Sequence, residues 1–298
     1  MSAPTAATPA AMAEPMQRSP RLAAQFRRQF VRNRGGMIGL VIILAIALIA
    51  IFAPLVAPYD PYELNRIDRL QGPSSTHLMG TDDLGRDLFS RIVYGARISM
   101  TVSIMTVLIA TLLGAPAGII AGYFGGGVDS AIMRVMDVIF AFPATLLALA
   151  ITAFLGPSLR NMIIALGIVY APGFARIVRG PVLGAKNLEY VEASRVIGAS
   201  DARILIRHLL PNIISPLIVT ATVTFSFALL AEAALSFLGM GAQPPEASWG
   251  VMLSNGRRFM ETVPSLAIFP GVAIVITVLS SNLLGDALRD VLDPKLRR

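Results

Sequence analysis

Residues Glu192 to Pro211 read EASRVIGASDARILIRHLLP. This charged, helix-forming stretch lies between two apolar runs in a chain otherwise built for membrane, and it governs the reading of everything around it. Leu188 to Ile197 holds good helix formers, and Gly198 supplies a stop where φ turns positive. Ser200 reads as the N-cap of a second short helix, with Asp201 in its first turn facing the positive end of the helix dipole. Pro211 cannot continue the same hydrogen-bond pattern and marks the start of the next apolar run. The expected product is a helix-turn-helix on one membrane face. Its apolar positions Leu188, Val191, Val196, Ile204, Leu205 and Leu209 need cover, while Glu189, Glu192, Arg195, Arg203 and Arg207 offer polar contacts. A plain solvated loop accounts for the arginines, but not for two capped helices and a glycine break.

Composition sets the class. Of 298 residues, 55% are hydrophobic and only 14% charged, against about a quarter charged in soluble domains. Six intervals lack Asp, Glu, Lys and Arg altogether: Arg34 to Asp60, Arg97 to Asp129, Asp137 to Arg160, Arg160 to Arg176, Arg207 to Glu232 and Glu261 to Asp286. A crossing helix needs about 20 residues, with roughly 17 the lower limit. Only the fourth interval, Asn161 to Ala175, falls short, so its arginines must snorkel toward headgroups. Six spans place both termini on one side, and 17 of the 25 basic residues fall on that side, which the positive-inside rule makes cytoplasmic. The net charge of +7 is thus an orientation signal. No aromatic-interleaved basic patch accompanies it, so nucleic acid is not an expected partner.

The chain has no cysteine, which excludes disulfides and thiolate metal sites, and its two histidines, His77 and His208, are expected on opposite membrane faces. No metal site is expected. Residues 1–17 are low in complexity and read as disordered. The first apolar run exceeds the roughly 7 to 15 residues of a signal-peptide core, so it reads as a retained anchor. It spans about Met37 to Ala57.

An external segment follows, Pro58 to Gly95, in which Thr81 or Asp82 is expected to cap an amphipathic surface helix through Leu84, Leu88 and Ile92. In the second span, about Ile98 to Tyr123, Ser99, Ser103, Thr106, Ala110, Gly114 and Gly118 form a small-residue stripe. It reads either as a helix-packing face or as the border of a solute path. Pro116 is expected to bend that span. The third span is placed at about Val138 to Leu155, and the sixth, about Pro264 to Leu284, holds Pro270-Gly271 as a hinge or a tolerated kink. In the loop before it, the lone Trp249 reads as an interfacial anchor or as an external contact.

The pattern of Glu192, Ala193, Ser194, Gly198, Leu210 and Pro211 resembles the EAA loop of ATP-binding cassette (ABC) importer permeases. His208 stands where the family often has Ile, as in its peptide-importer branch. Gly80 to Asp82, Gly85 to Asp87, Ser90-Arg91 and Gly95 to Arg97 are similar to the segment before the second span in permeases of dipeptide, oligopeptide, glutathione and nickel importers. Ala233 to Gly239, Trp249-Gly250, Asn282 to Asp286 and Asp293-Pro294 match that branch too.

The resemblance covers roughly Arg34 to Lys295. It implies an all-α, six-span type I ABC importer permease fold in the bacterial inner membrane, with cytoplasmic termini. Residues 1–35 are then a cytoplasmic tail, 36–97 the first span and external loop, 98–287 the permease core with its coupling loop at 186–211, and 288–298 a cytoplasmic tail. Glu192, Ala193, Ser194, Arg195, Gly198, Ala199, Asp201, Leu210 and Pro211 would couple the chain to two ATPase subunits, which alone would use ATP and magnesium. A periplasmic substrate-binding protein would touch the outer face near Asp82, Arg86, Asp87, Arg97, Gln243 and Trp249. A homologous permease subunit would complete the pore as a heterodimer. The expected cargo is a dipeptide or oligopeptide, with nickel and glutathione as alternatives.

A secondary transporter is the competing class. Ion-coupled carriers place ionisable groups inside the membrane, whereas here Glu232 comes nearest, at the outer end of the fifth span. For a membrane enzyme, neither GxSxG nor HExxH occurs. Gly180 to Lys186 has the wrong spacing for a phosphate loop, so the chain is expected neither to bind a nucleotide nor to hydrolyse it.

Overall fold

The computed structural model describes residues 21–292. The low-complexity tail at 1–17, Arg18, the Asp293-Pro294 pair, Lys295, Arg297 and Arg298 lie outside the described residues. Within them the chain is built almost wholly of helix. Helix α1 (Arg21–Arg32) is separated from α2 (Arg34–Ile51) by Asn33, whose side chain accepts from Gly36 N–H at 3.0 Å and caps α2. The one-turn α3 (Ala53–Val56) leads into the outer loop and then α4 (Leu88–Phe124). Next come α5 (Gly126–Phe140), α6 (Ala144–Leu155) and α7 (Leu159–Ala185). The inner pair α8 (Glu189–Val196) and α9 (Asp201–Ile204) runs through a π-helical turn (Leu205–Leu209) into α10 (Leu210–Phe237). Helix α11 (Trp249–Gly256), a 3₁₀ turn (Arg257–Phe259) and α12 (Ser265–Leu292) complete the order.

Five helices among the described residues are long and apolar enough to cross a membrane: α2, α4, α7, the greater part of α10, and α12. The bent pair α5 and α6 makes a sixth span if counted as one. Its two helices meet at 88°, so the third span, placed at about Val138 to Leu155, contains a sharp bend between Phe140 and Ala144. Pro143 takes ψ of 125° and cannot extend α5. The 12 residues of α6 rise about 18 Å, short of a ~30 Å hydrocarbon core.

The fourth span, short by its charge-free interval, is a 27-residue helix, and 56% of its apolar window is buried. Toward its inner end two arginines pair with α5: Arg179 Nε meets Asp129 Oδ1 and Arg176 Nη2 meets Asp137 Oδ1, at 2.6 and 2.5 Å.

The separate outer surface helix is also corrected. Helix α4 begins at Leu88 and continues without a break as the second span. Its cap is Asp87, whose Oδ2 accepts from Ser90 N–H at 2.8 Å, because Asp82 Oδ1 is already engaged by Leu84 and Arg86 N–H groups in a local turn. Helices α4 and α12 run unbroken through Pro116 and Pro270.

Helices α4 and α7 form the most extensive pairing in the bundle. A Cβ added at Gly114 would lie 2.2 Å from the Ala171 carbonyl oxygen, and one at Gly118 equally close to that of Ala175. Lipid gives no hydrophobic drive between helices, so association depends on such close backbone contact. Gly118→Ala is therefore expected to cost about 1 to 3 kcal/mol through overpacking, read as a lower midpoint of thermal unfolding in detergent. Gly184→Ala, on α7 with nothing within 4 Å, is expected to leave the midpoint unchanged.

Candidate functional site

The helix-turn-helix read from the sequence is present on the inner face. Gly198 takes φ of +82° with open space around it, and it donates to the Arg195 carbonyl at 2.9 Å, closing α8. Ser200 occupies the N-cap of α9 without a side-chain bond. Asp201 instead accepts from the Tyr123 hydroxyl at 2.5 Å, and the Arg195 guanidinium lies 5.3 Å from the centre of the Tyr123 ring. Lys186 Nζ reaches the Tyr123 carbonyl at 3.4 Å. Tyr123 thus ties the inner end of α4 to the loop at three points. Sequence reasoning missed it; its only signal was a polar-tipped aromatic at the end of the glycine stripe.

Pro211 marks the entry to α10, where the hydrogen-bond pattern changes without a break in the helical run. Leu210 N–H bonds to Leu205 O, five residues back, and this widened turn absorbs the missing donor and the proline ring. Val191, Ile204, Leu209 and Ile213 are fully buried against Val178 and Val182 of α7. Ser194 bonds back to the Tyr190 carbonyl at 2.7 Å, and Ala199 and Leu210 are half-buried. Glu192, Ala193, Arg195, Arg203, Arg207 and Pro211 are exposed. So are two large apolar side chains at the turn, Val196 at 87% and Ile197 at 83%.

A cavity of about 980 Å³ opens on the bundle face where α5, α6, α7 and α10 meet. Phe140, Phe142, Tyr170, Thr220, Thr224 and Phe227 line it, and Arg289 stands at its inner end. The stripe of Ser99, Ser103, Thr106, Gly114 and Gly118 lies elsewhere, buried within the bundle, and none of it lines this cavity.

On the outer side, Asp82, Arg86 and Asp87 are buried, at 8%, 8% and 3% exposure. Arg86 Nε pairs with Asp82 Oδ2 at 2.7 Å, Arg91 donates to the Pro61 carbonyl at 2.9 Å, and His77 Nδ1 lies 2.9 Å from Asp87 Oδ1. These charges brace the loop from within. Trp249 is 2% exposed and its Nε1 donates to the Ile92 carbonyl at 3.0 Å, so it is a core residue and not an interfacial anchor. Arg97 and Gln243 to Glu246 are exposed. Burial first, then the Glu246 carboxylate, push the Tyr62 phenol up.

Residues 114–298 match the family described as binding-protein-dependent transport system inner membrane component. Residues 21–73 match the N-terminal TM domain of oligopeptide transport permease C. The chain is 48% identical to the dipeptide transport system permease protein DppC of Alkalihalophilus pseudofirmus, over 91% of this chain and 89% of that protein. It is 46% identical to the glutathione transport system permease protein GsiD of Pectobacterium atrosepticum, over 92% and 91%. Among solved structures, a chain of the MetNI methionine ABC transporter shares the fold, with a TM-score of 0.56 and 20% identity over 68% of this chain and 96% of that one. With its matched span, its full-length relatives and its helical bundle, the chain belongs to the binding-protein-dependent transport system inner membrane components, as a multi-pass permease.

Proposed function

We propose that this chain is the permease subunit of an ATP-driven importer of short peptides, moved by separate ATPase subunits that grip α8 and α9. The observation that carries the reading is the strongly exposed apolar pair Val196 and Ile197 at the tip of the inward-facing helix pair. Large apolar groups on a projecting cytoplasmic turn find cover in a groove of a partner. Around them Glu192, Arg195, Arg203 and Arg207 set the charge pattern of the contact, with Glu192 meeting a basic group. The buried side, fixed on α7 and by Tyr123, passes rotation of the pair to the bundle as a rigid-body motion.

Two ATPase subunits bind and hydrolyse ATP with magnesium, one under each permease chain. A homologous permease subunit covers the cavity face, so that the path runs between the two subunits past Tyr170, Thr220 and Thr224. A periplasmic binding protein delivers the solute to the outer face, touching Arg97 and Gln243, while Asp82, Arg86, Asp87 and Trp249 hold that surface from beneath. The relatives named for dipeptides and glutathione support a peptide cargo, since glutathione is itself a short peptide.

In cells carrying the complete transporter, uptake of a labelled dipeptide is expected to depend on this chain and on ATP. Uptake by the purified chain alone, driven by an ion gradient in vesicles without ATP, would overturn the assignment. Gly198→Pro places a residue fixed near φ of −65° where +82° is required. It is expected to insert normally yet to lose transport about tenfold or more, a coupling loss of about 1.4 kcal/mol. Val196→Asp at the exposed tip is expected to lower the ATPase activity of the assembled complex without changing the melting point of the isolated permease.

A further inference from the structure

Glu232 is the one acidic residue within the membrane-spanning part of α10, and it is 0% exposed. It lies outside the cavity, so no aqueous route for an ion or proton leads to it there. Both of its oxygens are occupied by hydroxyl donors. Ser99 of α4 donates to Oε2 at 3.1 Å, and Ser236, one turn on along α10, donates to Oε1 at 2.7 Å.

The same two serines hold the external helix α11. Trp249 N–H donates to Ser99 Oγ at 3.3 Å and Ser248 Oγ to Ser236 Oγ at 3.4 Å. Ser248 also caps α11, accepting from Val251 N–H at 3.3 Å. A Cβ at Gly250 would meet the Ala233 backbone at 2.7 Å, so the external helix rests directly on α10. The exposed residues Gln243 to Glu246 lie only a few positions before this junction.

A carboxylate accepts up to about four hydrogen bonds and donates none, which suits a hub for converging hydroxyls. In a low-dielectric interior, such a network holds only if every member is satisfied. The helical backbone runs without a gap from Asp201 through the π-helical turn to Phe237, so the helix that bears Glu232 is continuous with the inner pair.

We propose that Glu232 is a positioning residue: by gathering Ser99 and Ser236 it locks the outer platform of α11 to α4 and α10, so that docking on the outer tip is carried down α10 to the inner helix pair. This rests on the importer reading above. The prediction is that its loss separates stimulation of the ATPases by the binding protein from their basal turnover.

The test uses the complete transporter in lipid nanodiscs, titrated with peptide-loaded binding protein while ATP hydrolysis is followed. With Glu232→Ala, basal hydrolysis is expected within about twofold of wild type, and the stimulated increment at saturation is expected to fall about fivefold or more. Glu232→Gln keeps an acceptor oxygen and is expected to retain most of the stimulation. Wild-type stimulation in Glu232→Ala would overturn the proposal. So would equal loss in Glu232→Gln and Glu232→Ala, which would point to the charge itself. If Glu232→Ala does not assemble, Ser99→Ala decides: a partial loss of stimulation supports the strut and none contradicts it. A wild-type complex that hydrolyses ATP without any response to binding protein would overturn the importer reading itself, and this inference with it.

Discussion

The close approach of α4 and α7 is the contact on which the rest of the bundle depends. Where Gly114 and Gly118 face carbonyl oxygens of Ala171 and Ala175, the two backbones touch with no side chain between them. A membrane supplies no hydrophobic drive for this, so shape has to do it. The consequences run in both directions along the helices. At the inner end, α7 offers Val178 and Val182 as the floor on which the helix pair sits, and α4 offers Tyr123 as its tether. Toward the outer end, Ser99 of α4 reaches the acid of α10.

Charge is used at the margins of the spans, and two ion pairs there join neighbouring helices. Arg179 with Asp129 and Arg176 with Asp137 clamp α5 to α7, although α5 buries no residue of its own. A helix held mainly by such pairs, next to a bend of 88°, borders the cavity through its end at Ile139 and Phe140. Exposed ion pairs contribute about 0 to 1 kcal/mol each, so these pairs fix this wall of the cavity only weakly. By contrast, the outer loop is braced by buried Asp82, Arg86, Asp87 and Arg91.

Much of this was legible in the sequence, because hydrocarbon excludes charge and helices report it. The charge-free intervals located α2, α4, α10 and α12, and the glycine at 198 located the inner turn. What was not legible depended on partners distant in sequence. The fourth span looked short because Arg160 and Arg176 counted as its limits, while the aspartate that pairs with Arg176 lies 39 positions away. Trp249 looked like a headgroup anchor because nothing local shows that its indole donates to Ile92, 157 residues earlier. Thr81 and Asp82 looked like caps, but Asp82 spends its carboxylate on the turn through Gly85 and on two arginines. Pro143 was visible, yet its consequence, a sharp bend within the third span, depends on backbone direction that composition does not encode. The motif marked Glu192, Ala193, Ser194, Gly198, Leu210 and Pro211 of the inner loop, whereas Tyr123, which tethers that loop, belongs to no motif at all.

The account turns on work entering through the tip of the inner helix pair. Since the chain has no cysteine, a single one introduced at Val196 can be crosslinked in native membranes and the product identified by mass spectrometry. The account predicts an adduct with an ATP-hydrolysing subunit whose yield changes when ATP is added. If Val196→Cys inserts normally and forms no adduct with such a subunit under any nucleotide condition, the central claim is contradicted.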